Sequence, residues 1–470
     1  MQGNVVLAGL SPHPPIIIPD VGKGEERDAI NTIRAMDKFG ETFAHAEIDT
    51  LVVITPHGPV FSDVVSILGI PTLEGDFGYF GAGRTGIRTA NDLEFVEAIE
   101  ESSRSSPVQV VTLDKRNLSR YGIGPKLDHG VLVPLYYLKK HGFSKPVVVI
   151  NIGILPYFDL YLFGWAIAGA AGRLGRKAGI IASGDLSHKL KPGAPGGFNE
   201  QGKVFDEGLV DGLRTFSVED ILSMPSERIE AAGECGLRPV SIMLGALDEA
   251  KVESQILSYE GPYGVGYCVA LFEPKDWGKT NSRIQSIRRK RQEKMARIQI
   301  NQSYPALLAR KTVEGYITGA GLPDIPGDVP DEFRKKAGVF VSIHKEGSLR
   351  GCIGTTEPTT GSITEEIVQN AISAATQDPR FSPVVSGEIE LLDYSVDILS
   401  DPVEVASLSE LDPKRYGVIC VKGNRKGLLL PDLPGIDTVS EQLSIAKRKA
   451  GISPSDTRVK IYRFTVERYR

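Results

Sequence analysis

The chain has 470 residues, 41% of them hydrophobic and 24% charged, with a net charge of -5. That length exceeds one ordinary domain and predicts two or three, with the composition of a soluble globular protein. The mild charge gives no case for a nucleic-acid partner, and four scattered cysteines without a CxxC pair exclude a zinc ribbon and a disulfide scaffold.

In chain order, residues 5–10 form an apolar run that reads as a buried strand entering Ser11-Pro12-His13-Pro14-Pro15. Residues 22–46 read as a polar helical region with Ile30, Ile33, Phe39 and Phe43 on an apolar face. A second strand, 51–55, is stopped by Pro56 and Pro59, which leaves His57 just past its carboxyl end. Residues 66–90 look like a long loop or short antiparallel pairs. A helix is expected over 91–101 with Asn91 as its N-cap, then a strand over 108–113. Pro134 suits the first turn of a helix ending at Lys140, which would put Asp128 and His129 in the loop before it.

A strand at 145–154 precedes an apolar helix, 157–174. Asp159 and Arg173 make that helix a poor membrane span, so no membrane is expected. Residues 179–182 then run into Ser183-Gly184-Asp185-Leu186-Ser187-His188. Glu234 and Cys235 lie ahead of a helix that Pro239 would start, and two strands close the region by 272. Alternating strands and helices predict an α/β N-terminal domain, a central mostly parallel or mixed sheet with helices on both faces.

Residues 276–300 concentrate Arg283, Arg288, Arg289, Lys290, Arg291, Lys294 and Arg297 and read as a solvated basic linker helix. Beyond it come a helix at 304–318, a Pro/Gly loop, a strand at 339–344 and a helix at 363–376. A hairpin around Lys422-Gly423-Asn424-Arg425, a helix at 438–450 and a closing strand at 459–464 follow. This predicts a smaller α+β C-terminal domain, and the organisation is 1–275, linker 276–300, and 301–470.

Three separate strands thus each deliver one histidine to the same sheet edge, where ligand crevices form in open α/β sheets. Two imidazoles and one carboxylate on a single face leave the opposite face of a mononuclear iron free for dioxygen. His13 and His57 are the imidazole pair, and Glu234 is the expected carboxylate, with Cys235 beside it as the alternative ligand. His129 and His188 remain for acid–base work, each with an aspartate close by, Asp128 or Asp185, to orient a ring. His45, His141 and His344 are expected at the surface.

Ser11-Pro12-His13-Pro14-Pro15, Thr55-Pro56-His57-Gly58, Asp128-His129-Gly130 with Pro134, and Asp185-Leu186-Ser187-His188 together resemble class III extradiol ring-cleavage dioxygenases of the LigB type. The resemblance implies Fe(2+) held by His13, His57 and a carboxylate, with His188 as acid–base residue and His129 as helper. It also implies a catechol-like small aromatic substrate cleaved with O2. Cys235-Gly236-Leu237-Arg238-Pro239 is similar to the Memo family, which shares the fold and implies a metal-binding protein without ring cleavage. Zn(2+) on the same histidines would instead suit a hydrolase.

Leu349-Arg350-Gly351-Cys352-Ile353-Gly354 and Asp378-Pro379-Arg380-Phe381 resemble the AMMECR-type domain, which implies a pathway shared with a radical-SAM partner. Cys352 is either a nucleophile stabilised by Arg350 or Arg380, or a buried cysteine in a tight turn. No signal peptide is expected at the N-terminus, so a cytoplasmic homo-oligomer is the expected state.

Overall fold

A wholly apolar strand needs cover on both faces, because successive side chains point to opposite sides of the sheet. The computed structural model describes residues 4–278, 282–323, 329–345, 348–433 and 435–470. It divides into two units, Met1–Arg288 and Arg289–Arg470, with the division inside the basic helix Arg283–Ile300. Residues 324–328 of the expected Pro/Gly loop lie outside the described residues.

Among the described residues the first unit has ten strands: β1 (Val5–Ser11), β2 (Thr50–Thr55), β3 (Val64–Leu68), β4 (Thr72–Phe77), β5 (Ala82–Ala90), β6 (Gln109–Leu113), β7 (Val147–Asn151), β8 (Ala178–Ser183), β9 (Ala250–Glu260) and β10 (Tyr267–Trp277). Eight make one mixed sheet in the order β6-β3-β7-β2-β8-β1-β10-β9. The central four, β7, β2, β8 and β1, are parallel, while β3 and β10 run antiparallel to them.

β2 shows how the two cores are fed. Val52 and Ile54 join the core that includes Phe163 and Ile242, from helices Tyr157–Leu174 and Leu237–Ala246. Leu51 and Val53 join the core that includes Phe39 and Val131, from helices Ile30–His45 and His129–Lys140. Each fully buried side chain of this kind contributes roughly 1.5–3 kcal/mol. The two helices of the first core touch backbone to backbone: a Cβ on Gly164 would lie 1.8 Å from the Ile242 carbonyl oxygen. Among the described residues, no helix is long and apolar enough to cross a membrane.

Among the described residues the second unit has eight strands: β11 (Val339–Lys345), β12 (Ser348–Gly354), β13 (Leu392–Leu399), β14 (Val403–Glu404), β15 (Gly417–Lys422), β16 (Arg425–Leu429), β17 (Lys460–Phe464) and β18 (Val466–Tyr469). They form two four-stranded antiparallel sheets, β12-β11-β13-β18 and β14-β17-β15-β16. Helices Tyr304–Thr318 and Ile363–Thr376 share a core with the first sheet, and Val439–Lys449 with the second. The chain is therefore an α/β domain with a mixed sheet followed by an α+β domain.

Several local expectations are corrected. Of the two alternatives for residues 66–90 the antiparallel pair holds, as the β4–β5 hairpin, while β3 departs from both by entering the main sheet. Asp92, not Asn91, caps helix Leu93–Ser103, because its carboxylate accepts the Phe95 N–H, while the Asn91 amide donates to the Leu68 and Ile70 carbonyls. Helix His129–Lys140 begins before Pro134, because Asp128 caps it by accepting the Gly130 N–H at 2.8 Å. His129 is thus the first helical residue, and the proline lies inside the helix. The helix ascribed to Pro239 likewise opens earlier, at Leu237.

Candidate metal centre

β8 lies between β2 and β1, so the loops carrying His57, His188 and His13 leave neighbouring parallel strands at one edge. The His13 and His57 Nε2 atoms come to 2.9 Å of each other, and Cys235 Sγ is 3.6 Å from His13 Nε2. Among the described residues, His13, His57 and Cys235 are the group whose donor atoms could share a cation, all within 4.8 Å. His129 stacks on His57 at 4.3 Å between ring centroids, lies 5.3 Å from His13, and carries Phe80 edge-on at 5.6 Å.

Electrostatics keep these imidazoles neutral. Burial, followed by the charges of His57, His129 and His188, drives His13 well below the ordinary histidine range. His57 is lowered to about 4, by desolvation first and the neighbouring His129 second. Burial also lowers His129 and His188. Burial, then the nearby Asp185 and Glu234 charges, pushes the Cys235 thiol up; a coordinating cation would reverse that by deprotonating the thiol. Two neutral imidazoles and a thiol converging on one point fit a divalent cation, since ligands must offer lone pairs rather than protons.

Glu234, the expected carboxylate ligand, is placed otherwise. Its Oε2 accepts the Leu237 N–H at 2.6 Å and satisfies the start of helix Leu237–Ala246. Burial raises its pKa, opposed by that N–H and by Arg238. Cys235 therefore takes the place beside the imidazoles, and its sulfur accepts the Asp185 N–H at 3.3 Å. The loops can press this closely because a Cβ on Gly184 would lie 2.2 Å from the Gly236 Cα.

Neither aspartate orients an imidazole through a ring hydrogen bond. Asp185 Oδ1 accepts the His13 backbone N–H at 2.9 Å, its Oδ2 lies 4.0 Å from His13 Nε2, and burial lifts it to about 7. Asp128 Oδ1 accepts the Thr55 hydroxyl at 2.7 Å as well as the Gly130 N–H. The His188 backbone N–H donates to the Ala232 carbonyl at 3.1 Å, and its buried Nδ1 has no hydrogen-bond partner. His45 is exposed as expected, but His141 and His344 are half-buried, with His141 Nε2 3.0 Å from Asp37.

Sequence reasoning missed three supporting groups. Ser183 Oγ lies within hydrogen-bond distance of His13 Nδ1, at 2.9 Å. Phe80 closes over His129 from the hairpin tip between β4 and β5. Asp206 accepts the Ser187 N–H and the Tyr259 hydroxyl, each at 2.8 Å, and so holds the His188 loop. Only Asp206 left a readable signal, an acid beside Phe205 and Leu209 on a helix.

In the second unit, Cys352 is half-buried on β12. Its N–H donates to Asp378 at 2.8 Å and its sulfur accepts the Ser342 hydroxyl at 3.2 Å. The expected stabilisers do not reach the thiol with their hydrogen bonds. Arg350 donates to Glu388 and to the Ser382 and Pro383 carbonyls. Arg380 forks onto Asp378 at 2.9 and 2.7 Å and meets the Cys352 carbonyl at 3.5 Å. Arg380 holds the Asp378 carboxyl far below its usual range.

Comparisons with known proteins follow the same division. A family model described as the catalytic LigB subunit of aromatic ring-opening dioxygenase matches residues 7–270, and the AMMECR1 model matches 306–469. A Clostridium acetobutylicum protein, CA_C1420, is 39% identical over 463 residues, 98% of either chain. A Thermotoga maritima protein is 56% identical over 164 residues, 34% of this chain and 94% of its own. Among solved structures, uncharacterized protein PH0010 from Pyrococcus horikoshii shares 34% identity over 35% of this chain and 88% of its own, with a TM-score of 0.33. Uncharacterized protein JW3007 from Escherichia coli K12 shares 15% identity over 57% and 99%, with a TM-score of 0.37.

Proposed function

The chain belongs to the LigB family and carries a C-terminal AMMECR1 domain; from that premise we propose that its N-terminal domain is a Memo-like metal site. His13, His57 and Cys235 would hold one divalent cation, Fe(2+) or Zn(2+), and the pathway would include a radical-SAM partner. The observation that carries this reading is the placement of Cys235 Sγ, rather than the Glu234 carboxylate, 3.6 Å from His13 Nε2. Imidazole suits both iron and zinc, and a thiolate makes the site softer than two histidines and a carboxylate.

When bound, the cation would supply a Lewis-acid centre beside two further imidazoles. His129 and His188, neutral near pH 7, would accept or return protons there, and Phe80 would limit water on the His129 side. These two histidines also favour a second reading, cleavage of a catechol-like ring with O2.

The test is metal content and affinity of the full chain after expression in defined metals. Cys235→Ala is expected to weaken binding at least tenfold more than Glu234→Gln, and the reverse ranking would overturn the Memo-like ligand set. O2 uptake by anaerobically Fe(2+)-loaded protein with a catechol panel, lost in His188→Ala, would favour the second reading.

A further inference from the structure

A hydroxyl has one proton to give, so its partners determine its role. The Ser183 hydroxyl lies 2.5 Å from the Gly130 carbonyl oxygen, which can only accept, and 2.9 Å from His13 Nδ1. Ser183 must therefore donate to Gly130 and accept from His13, which puts the His13 proton on Nδ1 and leaves a lone pair on Nε2. That lone pair faces the point shared with His57 Nε2, 2.9 Å away.

The Gly130 carbonyl is free for this role because of Pro134. In helix His129–Lys140 the residue four beyond Gly130 would normally donate its N–H to that carbonyl, and proline has none. A helix-internal proline that disfavours local stability thus leaves one acceptor unpaired, aimed at the buried end of β8. There the wholly buried Ser183 meets it.

We propose that Pro134 and Ser183 are positioning residues that set the tautomer of His13, holding its proton on Nδ1 and so pre-arranging Nε2 as a ligand atom. The proposal rests on the metal reading above only in naming His13 a ligand.

The experiment is nitrogen-15 NMR of the full chain labelled at histidine, at pH 8, with the His13 and His57 signals assigned from single variants. Metal-free protein is expected to show His13 protonated on Nδ1, and zinc addition should leave that proton in place. A metal-free His13 protonated on Nε2, or a mixture, would overturn the relay. Ser183→Ala should mix the His13 tautomers and weaken zinc binding about 10- to 100-fold, the range for losing a hydrogen bond that orients a ligand. Ser183→Thr, which keeps the hydroxyl, should restore the His13 signal.

Pro134→Ala restores an N–H that competes for the Gly130 carbonyl. It should shift His13 in the same direction as Ser183→Ala, although Pro134 has no hydrogen bond to the ring. An unchanged His13 in Pro134→Ala would remove the proline from the relay. If wild-type protein shows the expected tautomers but takes up no zinc, the relay stands and the metal reading falls. If it binds zinc through a His13 that was protonated on Nε2, the metal reading stands and the relay falls.

Discussion

The two half-buried cysteines of this protein sit in opposite chemical surroundings. Around Cys235, the neighbours are neutral imidazoles, and the donor atoms of His13, His57 and Cys235 all lie within 4.8 Å of one another. Around Cys352, among the described residues, the carboxylates are paired: Asp378 with Arg380, Asp397 with Arg468, and Glu388 with Arg350. The first arrangement is held together by its scaffold and leaves unmet coordination capacity. The second is closed on itself, with two carboxylates that are 4% and 5% exposed and serve as acceptors for strand and loop. Unsatisfied convergence points to a ligand, whereas satisfied pairing points to architecture.

The largest expected effect separates the two centres. His13→Ala should lower zinc or iron affinity by roughly 100-fold or more, whereas Cys352→Ala should leave it unchanged, as titration calorimetry can measure. Equal losses would erase the contrast. Next, Asp378→Ala removes the acceptor of the Cys352 and Arg380 backbone N–H groups as well as the guanidinium fork. It should destabilise the second unit by roughly 2–3 kcal/mol with metal binding intact. Gly351→Ala places a Cβ 2.2 Å from the Ala374 carbonyl oxygen on helix Ile363–Thr376. The strand must then shift, and a loss of about 1–3 kcal/mol is expected in denaturant unfolding.

Acid acts on the two units through different groups. Histidines lowered by burial bind fewer protons folded than unfolded. Their contribution is full above about pH 6.5 and is lost as the pH falls from there toward the folded values. Asp185 and Asp206, each lifted to about 7 by burial, act in the opposite sense and gain stability as the pH falls through that value. In the second unit Asp378 is lowered chiefly by Arg380. Glu366 is raised by burial but lowered overall by hydrogen bonds from Thr355, Thr359 and Thr360. Their contribution is full above about pH 4 and is lost only below it. The smallest effect belongs to Glu234→Gln, which keeps an acceptor for the Leu237 N–H and should alter metal affinity by less than about threefold.

Much of this was legible along the chain. The runs before His13, His57 and His188 are short, β-branched and stopped by proline or glycine, so strand and loop assignments follow from local rules. The helices Tyr304–Thr318 and Ile363–Thr376 likewise fall where their apolar periodicity predicts. Glu234 and Cys235 are adjacent, and which of them faces the imidazoles depends on one loop conformation that no periodicity reports. Pro134 was misleading for a related reason: a proline that could open a helix was overridden by the Asp128 cap six residues earlier. For Cys352 the motifs leave both a nucleophile and a structural turn open, because Arg350 and Arg380 are visible there while the carboxylates that occupy both guanidiniums are not.

The order of residues alone determined that three histidines would leave strand ends in an α/β domain, and that an α+β domain with a glycine-flanked cysteine would follow. These are consequences of short-range rules, hydrophobic alternation and the missing N–H of proline. Only the tertiary structure decided that β8 lies between β2 and β1, that the Cys235 thiol rather than the Glu234 carboxylate lies beside the two imidazoles, and that the Gly130 carbonyl meets Ser183. Those outcomes depend on directed contacts a few ångströms long between segments far apart in the chain, which pattern and composition do not encode.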